Sequence, residues 1–123
     1  MSSTAIAKLG TVVLDCPDPT ALARFYAELL GGEARAAEEG WVDLAGYEGT
    51  PLAFQEAPGF VPPRWPAPDG SQQFHLDLTV DDLDTAEERV LALGAKPLDA
   101  AGRDRSWRVY ADPAGHPFCL CAC

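Results

Sequence analysis

The sequence predicts an α+β fold: two tandem βαβββ modules form a curled mixed sheet around a shared cleft, with the helices on its outer face. The first observation behind this prediction is a strand and helix pattern that occurs twice, with the helix-capping residues Asp18 and Asp82 lying 64 positions apart. The second is a set of three strand-like segments after each helix, in which Trp41 pairs with Trp107 at an offset of 66. Two copies of so long a repeat are typical of a pseudo-symmetric domain rather than a solenoid.

The first module begins with a segment rich in β-forming residues, 10–16, and continues into a helix at Asp18. Asp18 can cap the exposed N–H groups, and Pro19 suits the first helical position. Apolar residues then recur at helical spacing until Gly31 and Gly32 end the helix. The apolar stripe consists of Leu22, Phe25, Tyr26, Leu29 and Leu30. The predicted strands that follow are 33–37, 41–45 and 52–56.

The second module repeats this order. Segment 73–80 alternates strictly between apolar and polar residues, as a strand with one buried face does. Asp82 can cap a helix that runs to about Leu93, and Gly94 ends it. The predicted strands that follow are 95–98, 107–111 and 118–121.

The 123 residues are expected to form a single domain. Its predicted parts are module one at about 5–57, a Pro-rich linker at about 58–71 and module two at about 72–123. Five prolines in 57–71 favour an extended linker. Phe60 and Trp65 in this segment are either exposed or cover a pocket, and the sequence leaves both readings open.

The charge and the apolar runs restrict the possible partners. The net charge is −10, and such a surface repels phosphate backbones, so no nucleic-acid partner is expected. No apolar run is long enough to cross a bilayer, and the first nine residues do not resemble a signal peptide. A cytoplasmic protein without a membrane partner is therefore expected.

Three of the four cysteines alternate at the C-terminal end. Cys119, Cys121 and Cys123 would lie on one face of a strand, whereas Cys16 belongs to the first strand. A zinc site of the usual kind would need a second cysteine pair, which the sequence lacks. Half-buried free thiols in a reducing cytosol are the expectation.

Each predicted strand has one face of apolar side chains, which packs on the helix, and an opposite face that points away from the helix. In 74–80 the apolar set includes Leu76 and Leu78, so His75 and Asp77 point the other way. The same rule, applied to every strand, predicts one ligand pocket with Thr11 and Cys119 at its floor. Its predicted lining is Thr11, Trp41, Asp43, Gln55, His75, Asp77, Trp107 and Cys119. Two tryptophans on one face favour a pocket over a solvated sheet surface.

Three stretches of the chain resemble the vicinal oxygen chelate superfamily of glyoxalases, bleomycin-resistance proteins and extradiol dioxygenases. They are TVVLDCPDPTALARFYAELLGG, FHLDLTVDDLDTAEERVLALGA and WRVYADPAGHPFCLC. The last is similar to the superfamily's Asp-Pro-x-Gly-Asn-x-Phe-Glu ending. The resemblance covers nearly the whole chain and implies the paired-module fold, but the superfamily includes many chemistries.

In metal-dependent members of this superfamily, each module supplies two ligands to one divalent ion. The resemblance places these positions at Thr11, Ala53, His75 and Cys119. Ala53 has no donor atom and Thr11 offers only a weak hydroxyl, although Gln55 would replace Ala53 if the register slipped. No metal or other cofactor is therefore expected, and a bound zinc would have His75 and Cys119 among its ligands.

The resemblance thus implies a glyoxalase or bleomycin-resistance-like homodimer that binds a small molecule without the standard catalytic metal set. An acidic protein with aromatic and carboxylate-bearing pocket walls suits a cationic or aromatic organic ligand. The alternative is an enzyme of the superfamily, a lyase, isomerase or dioxygenase-like protein. In it, His75 would act as an acid–base catalyst or belong to a non-standard metal site. The sequence does not identify the ligand.

Overall fold

The computed structural model describes residues 5–64, 75–98 and 105–122. The chain divides into two compact units, with the boundary between Pro58 and Gly59. We call them module one and module two. Each contains one helix and one four-stranded sheet in the order βαβββ, which confirms the predicted α+β class and the tandem modules. The single domain and the shared cleft stay predictions.

The elements of the two modules correspond one to one. Module one comprises β1 (Val12–Cys16), α1 (Pro19–Leu30), β2 (Glu33–Glu38), β3 (Trp41–Ala45) and β4 (Leu52–Glu56). Module two comprises β5 (Leu76–Thr79), α2 (Leu83–Ala92), β6 (Lys96–Pro97), β7 (Trp107–Ala111) and β8 (Pro117–Cys121). Within the described residues, no helix is long and apolar enough to span a membrane.

Both sheets have the same mixed topology. The strand orders are β1-β4-β3-β2 and β5-β8-β7-β6. The first and last strands of each module run parallel, whereas the other neighbours are antiparallel. This parallel pairing aligns Val13 with Ala53 in module one and Asp77 with Cys119 in module two. It therefore brings side chains that are about forty residues apart in sequence onto adjacent strands.

Helix α1 begins and ends as its sequence predicts. The Asp18 carboxylate accepts a hydrogen bond from the backbone N–H of Ala21 (3.2 Å), and Pro19 opens the helix. Gly31 and Gly32 follow with φ angles of 94° and 88°, in the region that favours glycine. A Cβ on Gly32 would overlap the carbonyl oxygen of Ala45, so the turn into β2 needs glycine for space as well.

An apolar interface joins α1 to its sheet. Leu22, Phe25 and Tyr26 are buried on the inner face of the helix. The ring of Tyr26 stacks on Phe54 of β4, with the ring centroids 5.7 Å apart. Burial of these rings removes a large apolar area from water, which is the main stabilising contribution expected here.

Helix α2 packs on its sheet through polar as well as apolar contacts. Val90 is the one buried residue within α2, and the Tyr110 hydroxyl of β7 donates a hydrogen bond to Glu87 (2.6 Å). The Arg108 guanidinium contacts Glu87 (3.3 Å) and Asp84 (2.9 Å). These contacts place Arg108 and Tyr110 on the helix-covered face of the sheet. Their strand neighbours therefore point to the opposite face.

A tight turn joins β7 to β8. The buried Asp112 carboxylate accepts hydrogen bonds from three consecutive backbone N–H groups, those of residues 114–116, and its second oxygen lies 2.8 Å from His116 Nδ1. Phe60 packs on the His116 ring with 5.1 Å between centroids. This part of the predicted linker thus packs on module two, and Trp65 lies outside the described residues.

Candidate functional site

Strand register decides which side chains lie on the face of the module-two sheet that α2 does not cover. Val109 pairs with Cys119 and Trp107 with Cys121, so these four side chains share a face opposite Arg108 and Tyr110. The parallel pairing of β5 and β8 adds Asp77 beside Cys119. The structure therefore brings together predicted site residues from three strands of one sheet.

This face contains a cavity of about 270 Å³, which we call the module-two cavity. It is lined by His75, Asp77, Trp107, Cys119 and Cys121. Cys121 was not among the predicted site residues, although its alternation with Cys119 places it on the same face. Cys16 and Cys119 form no disulfide, as expected, although both are buried rather than half-buried, and Cys121 is disulfide-bonded. The expectation of a free thiol is wrong at Cys121, because sequence spacing does not decide which sulfurs come within bonding reach.

Three potential ligand atoms meet in the module-two cavity. His75 Nε2 lies 3.2 Å from Asp77 Oδ1. The nitrogen, the carboxylate oxygen and the Cys119 sulfur all lie within 4.8 Å of one another. Burial raises the pKa of the Cys119 thiol to about 11, and the charge and hydrogen bond of Asp77 act in the same direction. Without a metal the thiol is thus protonated at neutral pH and is a poor nucleophile.

Arg105 contacts a residue of this site, and the sequence reasoning did not identify that contact. Its guanidinium carbon lies 3.7 Å from the centroid of the Trp107 ring, a close cation–π contact. Trp107 is 37% exposed despite this contact. Strand alternation continued back from Trp107 indicates the same face for Arg105, but the predicted strand begins at Trp107.

A second cavity, of about 390 Å³, lies in module one, and we call it the module-one cavity. Its lining comprises Glu38, Glu39, Gly40, Trp41, Gln55, Glu56 and Pro58. Two predicted site residues, Trp41 and Gln55, are neighbours there across β3 and β4. The three glutamates were missed because they lie at the β2–β3 turn and at the end of β4, where side-chain alternation stops.

The remaining predicted residues of module one have other positions. Asp43 accepts a hydrogen bond from the Trp41 indole N–H (2.9 Å) and so orients that ring. Thr11 is exposed and immediately precedes β1. Neither residue lines the two cavities. Ala53 is fully buried, and its pairing with Val13 shows that Gln55 does not take its place through a register slip.

The donor set of the module-two cavity fits a borderline metal ion. Zinc binds cysteine sulfur, histidine nitrogen and carboxylate oxygen, and three protein ligands leave one position open. Asp77 extends the two-residue ligand set that the sequence suggests, His75 and Cys119. The soft thiolate makes the set unsuitable for magnesium or calcium.

The comparisons with known proteins agree with this architecture. The family model described as "Glyoxalase-like domain" matches residues 11–121. A glyoxalase/bleomycin resistance protein/dioxygenase family enzyme from Burkholderia phytofirmans PsJN has a similar structure, with a TM-score of 0.70 and 18% identity over 93% of this chain and 97% of that one. No curated protein matches the sequence significantly.

Two further solved structures extend the range of functions found on this fold. The genomically encoded fosfomycin resistance protein FosX from Listeria monocytogenes aligns with a TM-score of 0.69 and 16% identity, over 95% of this chain and 93% of that one. The oxidase ChaP-H2 aligns with a TM-score of 0.63 and 22% identity, over 94% and 93%. Identities this low establish the fold alone. The family match over most of the chain confirms the superfamily resemblance: this chain belongs to the glyoxalase-like domain family.

Proposed function

We propose that this protein is a glyoxalase or bleomycin-resistance-like small-molecule binding protein that works without the standard catalytic metal set of its superfamily. The observation that carries the proposal is the module-two cavity, where the aromatic ring of Trp107 lies near the polar groups of His75 and Asp77. Sites for small organic ligands combine an apolar wall with a few polar groups that fix orientation. A volume of about 270 Å³ suits a single substituted ring or a molecule of similar size.

The ligand positions implied by the resemblance support a function without that metal set. Ala53 offers only a buried methyl group and Thr11 an exposed hydroxyl. A catalytic zinc usually has three protein ligands, and His75 and Cys119 provide two at the implied positions. The standard four-residue arrangement is therefore incomplete in this sequence.

The binding test is a titration of the full chain with neutral single-ring compounds such as benzyl alcohol, followed by two-dimensional NMR. We expect the indole N–H signal of Trp107 and the backbone signals of Asp77 and Cys119 to shift together. Trp107→Ala should abolish the shifts at Asp77 and Cys119. Trp41→Ala is the matched control and should leave the shifts in module two unchanged. Shifts that do not involve these residues would contradict the proposed site.

A second candidate function is an enzyme of the superfamily, a lyase, isomerase or dioxygenase-like protein. The close approach of three donors, from His75, Asp77 and Cys119, favours it. A bound zinc would act there as a Lewis acid or activate a water molecule at its open position. Without a metal, Asp77 can hold the His75 imidazole in one orientation, as acid–base catalysis requires.

Cobalt titration tests the metal-bound form of the second candidate. Thiolate coordination gives a charge-transfer absorption, so one equivalent of bound cobalt with this band would favour the enzyme. Cys119→Ser should then remove the band, and Cys16→Ser, which changes the buried thiol of module one, should not. Absence of tight cobalt binding would contradict the metal-bound enzyme and leave the binding protein and the metal-free acid–base enzyme.

The proposal includes a cytoplasmic homodimer. Val61, next to Phe60, is 80% exposed and offers apolar surface that a second copy could cover. Sedimentation equilibrium should therefore show a dimer at micromolar concentration, and a monomer at every concentration would contradict this part of the proposal.

A further inference from the structure

Strand register lines up three side chains across the sheet of module one. Glu38 of β2 lies opposite Trp41 of β3, and Trp41 lies opposite Gln55 of β4. Side chains paired in this way share a face and have Cβ atoms about 4.5–5.5 Å apart. The half-buried Trp41 ring therefore lies between a carboxylate and an amide, and its indole N–H is bonded to Asp43 (2.9 Å). This bond gives the ring a fixed orientation in the module-one cavity.

Two more carboxylates reach the same cavity from outside the aligned strands. Glu39 belongs to the β2–β3 turn, where Gly40 has a φ angle of 77°. The Gly40 carbonyl accepts a hydrogen bond from the backbone N–H of Glu56 (2.8 Å), which joins the end of β4 to this turn. A Cβ on Gly40 would lie 3.6 Å from Glu56 Oε1, so that carboxylate lies against the turn.

The negative charge of this lining has no cation within the lining itself. The three glutamates are exposed, and no basic residue lines the module-one cavity. Arg35, the basic residue of β2, lies opposite Asp43 but contacts Glu33 (3.6 Å) and is not part of the lining. A cation that enters the cavity therefore meets three carboxylates and an aromatic ring.

The spread of the carboxylates favours an organic cation over a metal ion. Among the described residues, the three ligand atoms that lie within 4.8 Å of one another are those of His75, Asp77 and Cys119, in module two. The three glutamates of module one form no such group, so their oxygens do not surround one small ion. A volume of about 390 Å³ and a tryptophan wall suit a larger cation whose methyl groups contact the ring.

We propose that the module-one cavity is a second ligand site, and that it takes an alkylated ammonium compound. The Trp41 ring contacts the methyl groups of the cation, and the three glutamates balance its charge. The site shares no lining residue with the module-two cavity, and its ligand differs from the neutral single-ring compounds of the binding test. It is therefore independent of the proposed function.

The test compares choline with 3,3-dimethylbutan-1-ol, its uncharged carbon analogue of the same shape. Both are titrated into the full chain at constant ionic strength, and NMR follows the indole N–H signal of Trp41 and the backbone N–H signal of Glu56. Glu38→Gln and Glu56→Gln each remove one charge with little change in size, and Trp41→Leu removes the aromatic face. Glu28→Gln is the matched control, because Glu28 is exposed on α1 and carries the same charge.

We expect choline to bind the parent about tenfold or more tightly than its uncharged analogue, and less tightly as salt is added. Each cavity glutamine variant should weaken choline binding by up to about fivefold, and Trp41→Leu by about two- to fivefold. Glu28→Gln should leave it unchanged.

Three results would refute the second site. The first is equal affinity for choline and its analogue, or no shift of the cavity signals with either. The second is an equal loss for Glu28→Gln and the cavity variants, which would assign the effect to net charge. The third is displacement of choline by calcium with the same signal shifts, which would show that the carboxylates only collect counterions. The benzyl alcohol titration of the module-two cavity is unaffected by any of these results.

Discussion

The two modules share one topology, but different interactions join helix to sheet in each. In module one, Tyr26 projects from α1 and stacks on Phe54 of β4. In module two, the tyrosine comes from the sheet instead: Tyr110 of β7 stacks on Phe118 (5.6 Å) and hydrogen-bonds to Glu87 of α2. The fold thus requires a buried helix face, but it does not require that face to be apolar.

The polar interface of module two depends on mutual pairing of its charges. Arg108 is 8% exposed and contacts both Glu87 and Asp84. Its Nε atom is buried and has no hydrogen-bond partner among the described residues. A buried charge pair contributes little net stability compared with apolar packing, whereas removal of one partner is costly. The stability of module two should therefore depend on keeping all the members of this charge group.

The two cavities differ in charge as well. Three glutamates line the module-one cavity around Trp41, whereas Arg105 covers a ring face at the wall of the module-two cavity. Duplicated strands thus present a tryptophan in each module, with three glutamates near Trp41 and both Arg105 and Asp77 near Trp107. The predicted cationic ligand suits the first environment.

The largest effect is expected from the apolar interface of module one. Phe54→Ala removes a fully buried ring that stacks on Tyr26, and should lower the free energy of unfolding by about 3–5 kcal/mol. Urea denaturation measures the change. Phe54→Leu, the volume-conserving control, should cost clearly less. A loss below about 1 kcal/mol for the alanine variant would show that this contact does not dominate the interface.

The next effect concerns the charged interface of module two. Arg108→Ala should cost about 2–3 kcal/mol of unfolding free energy, because it leaves Glu87 partly buried without its cation. Arg108→Met fills the space and should cost less. Arg89→Ala, an exposed change on the same module, should stay within about 0.5 kcal/mol of the parent. Equal losses for the two alanine variants would contradict the role of this pair.

A smaller effect concerns ligand binding. Trp107→Ala should weaken binding in the module-two cavity by about 1–3 kcal/mol, the range for an aromatic ring stacked on a base. Isothermal titration with benzyl alcohol, the probe of the binding test, measures it. Trp41→Ala should leave that affinity unchanged, since Trp41 lines the module-one cavity. The reverse order of effects would assign the binding site to module one.

The smallest effect at neutral pH is expected from Cys119. Its pKa is raised from 9.0 to about 11, chiefly by burial, so the folded state holds the thiol proton more tightly than the unfolded state. This contribution to stability is fully present below about pH 9 and is lost as the pH rises through about 11. Unfolding free energies between these values should fall more steeply for the parent than for Cys119→Ala. Parallel curves would contradict the raised pKa.

Much of the fold could be predicted because its signals are local. Asp18, Pro19 and Gly31 define the limits of α1 through capping and glycine geometry, which depend on a few neighbouring residues. Strand alternation likewise assigned Trp107 and Cys119 to one face, since successive side chains on a strand point in opposite directions. The end of α2 at Ala92, one residue before the predicted Leu93, is a difference of the usual size.

The site could be predicted only in part, because strand pairing and loop paths decide which side chains meet. Parallel pairing of β5 and β8 placed Asp77 beside Cys119, and a segment outside any strand brought Arg105 over Trp107. The β2–β3 turn likewise added Glu38 and Glu39 to the cavity beside Trp41. Sequence alone determined the two modules and the face on which each strand residue lies, because backbone geometry repeats along a strand. The tertiary structure decided which charged groups lie at each cavity, because side chains in turns and loops do not follow the alternation of a strand.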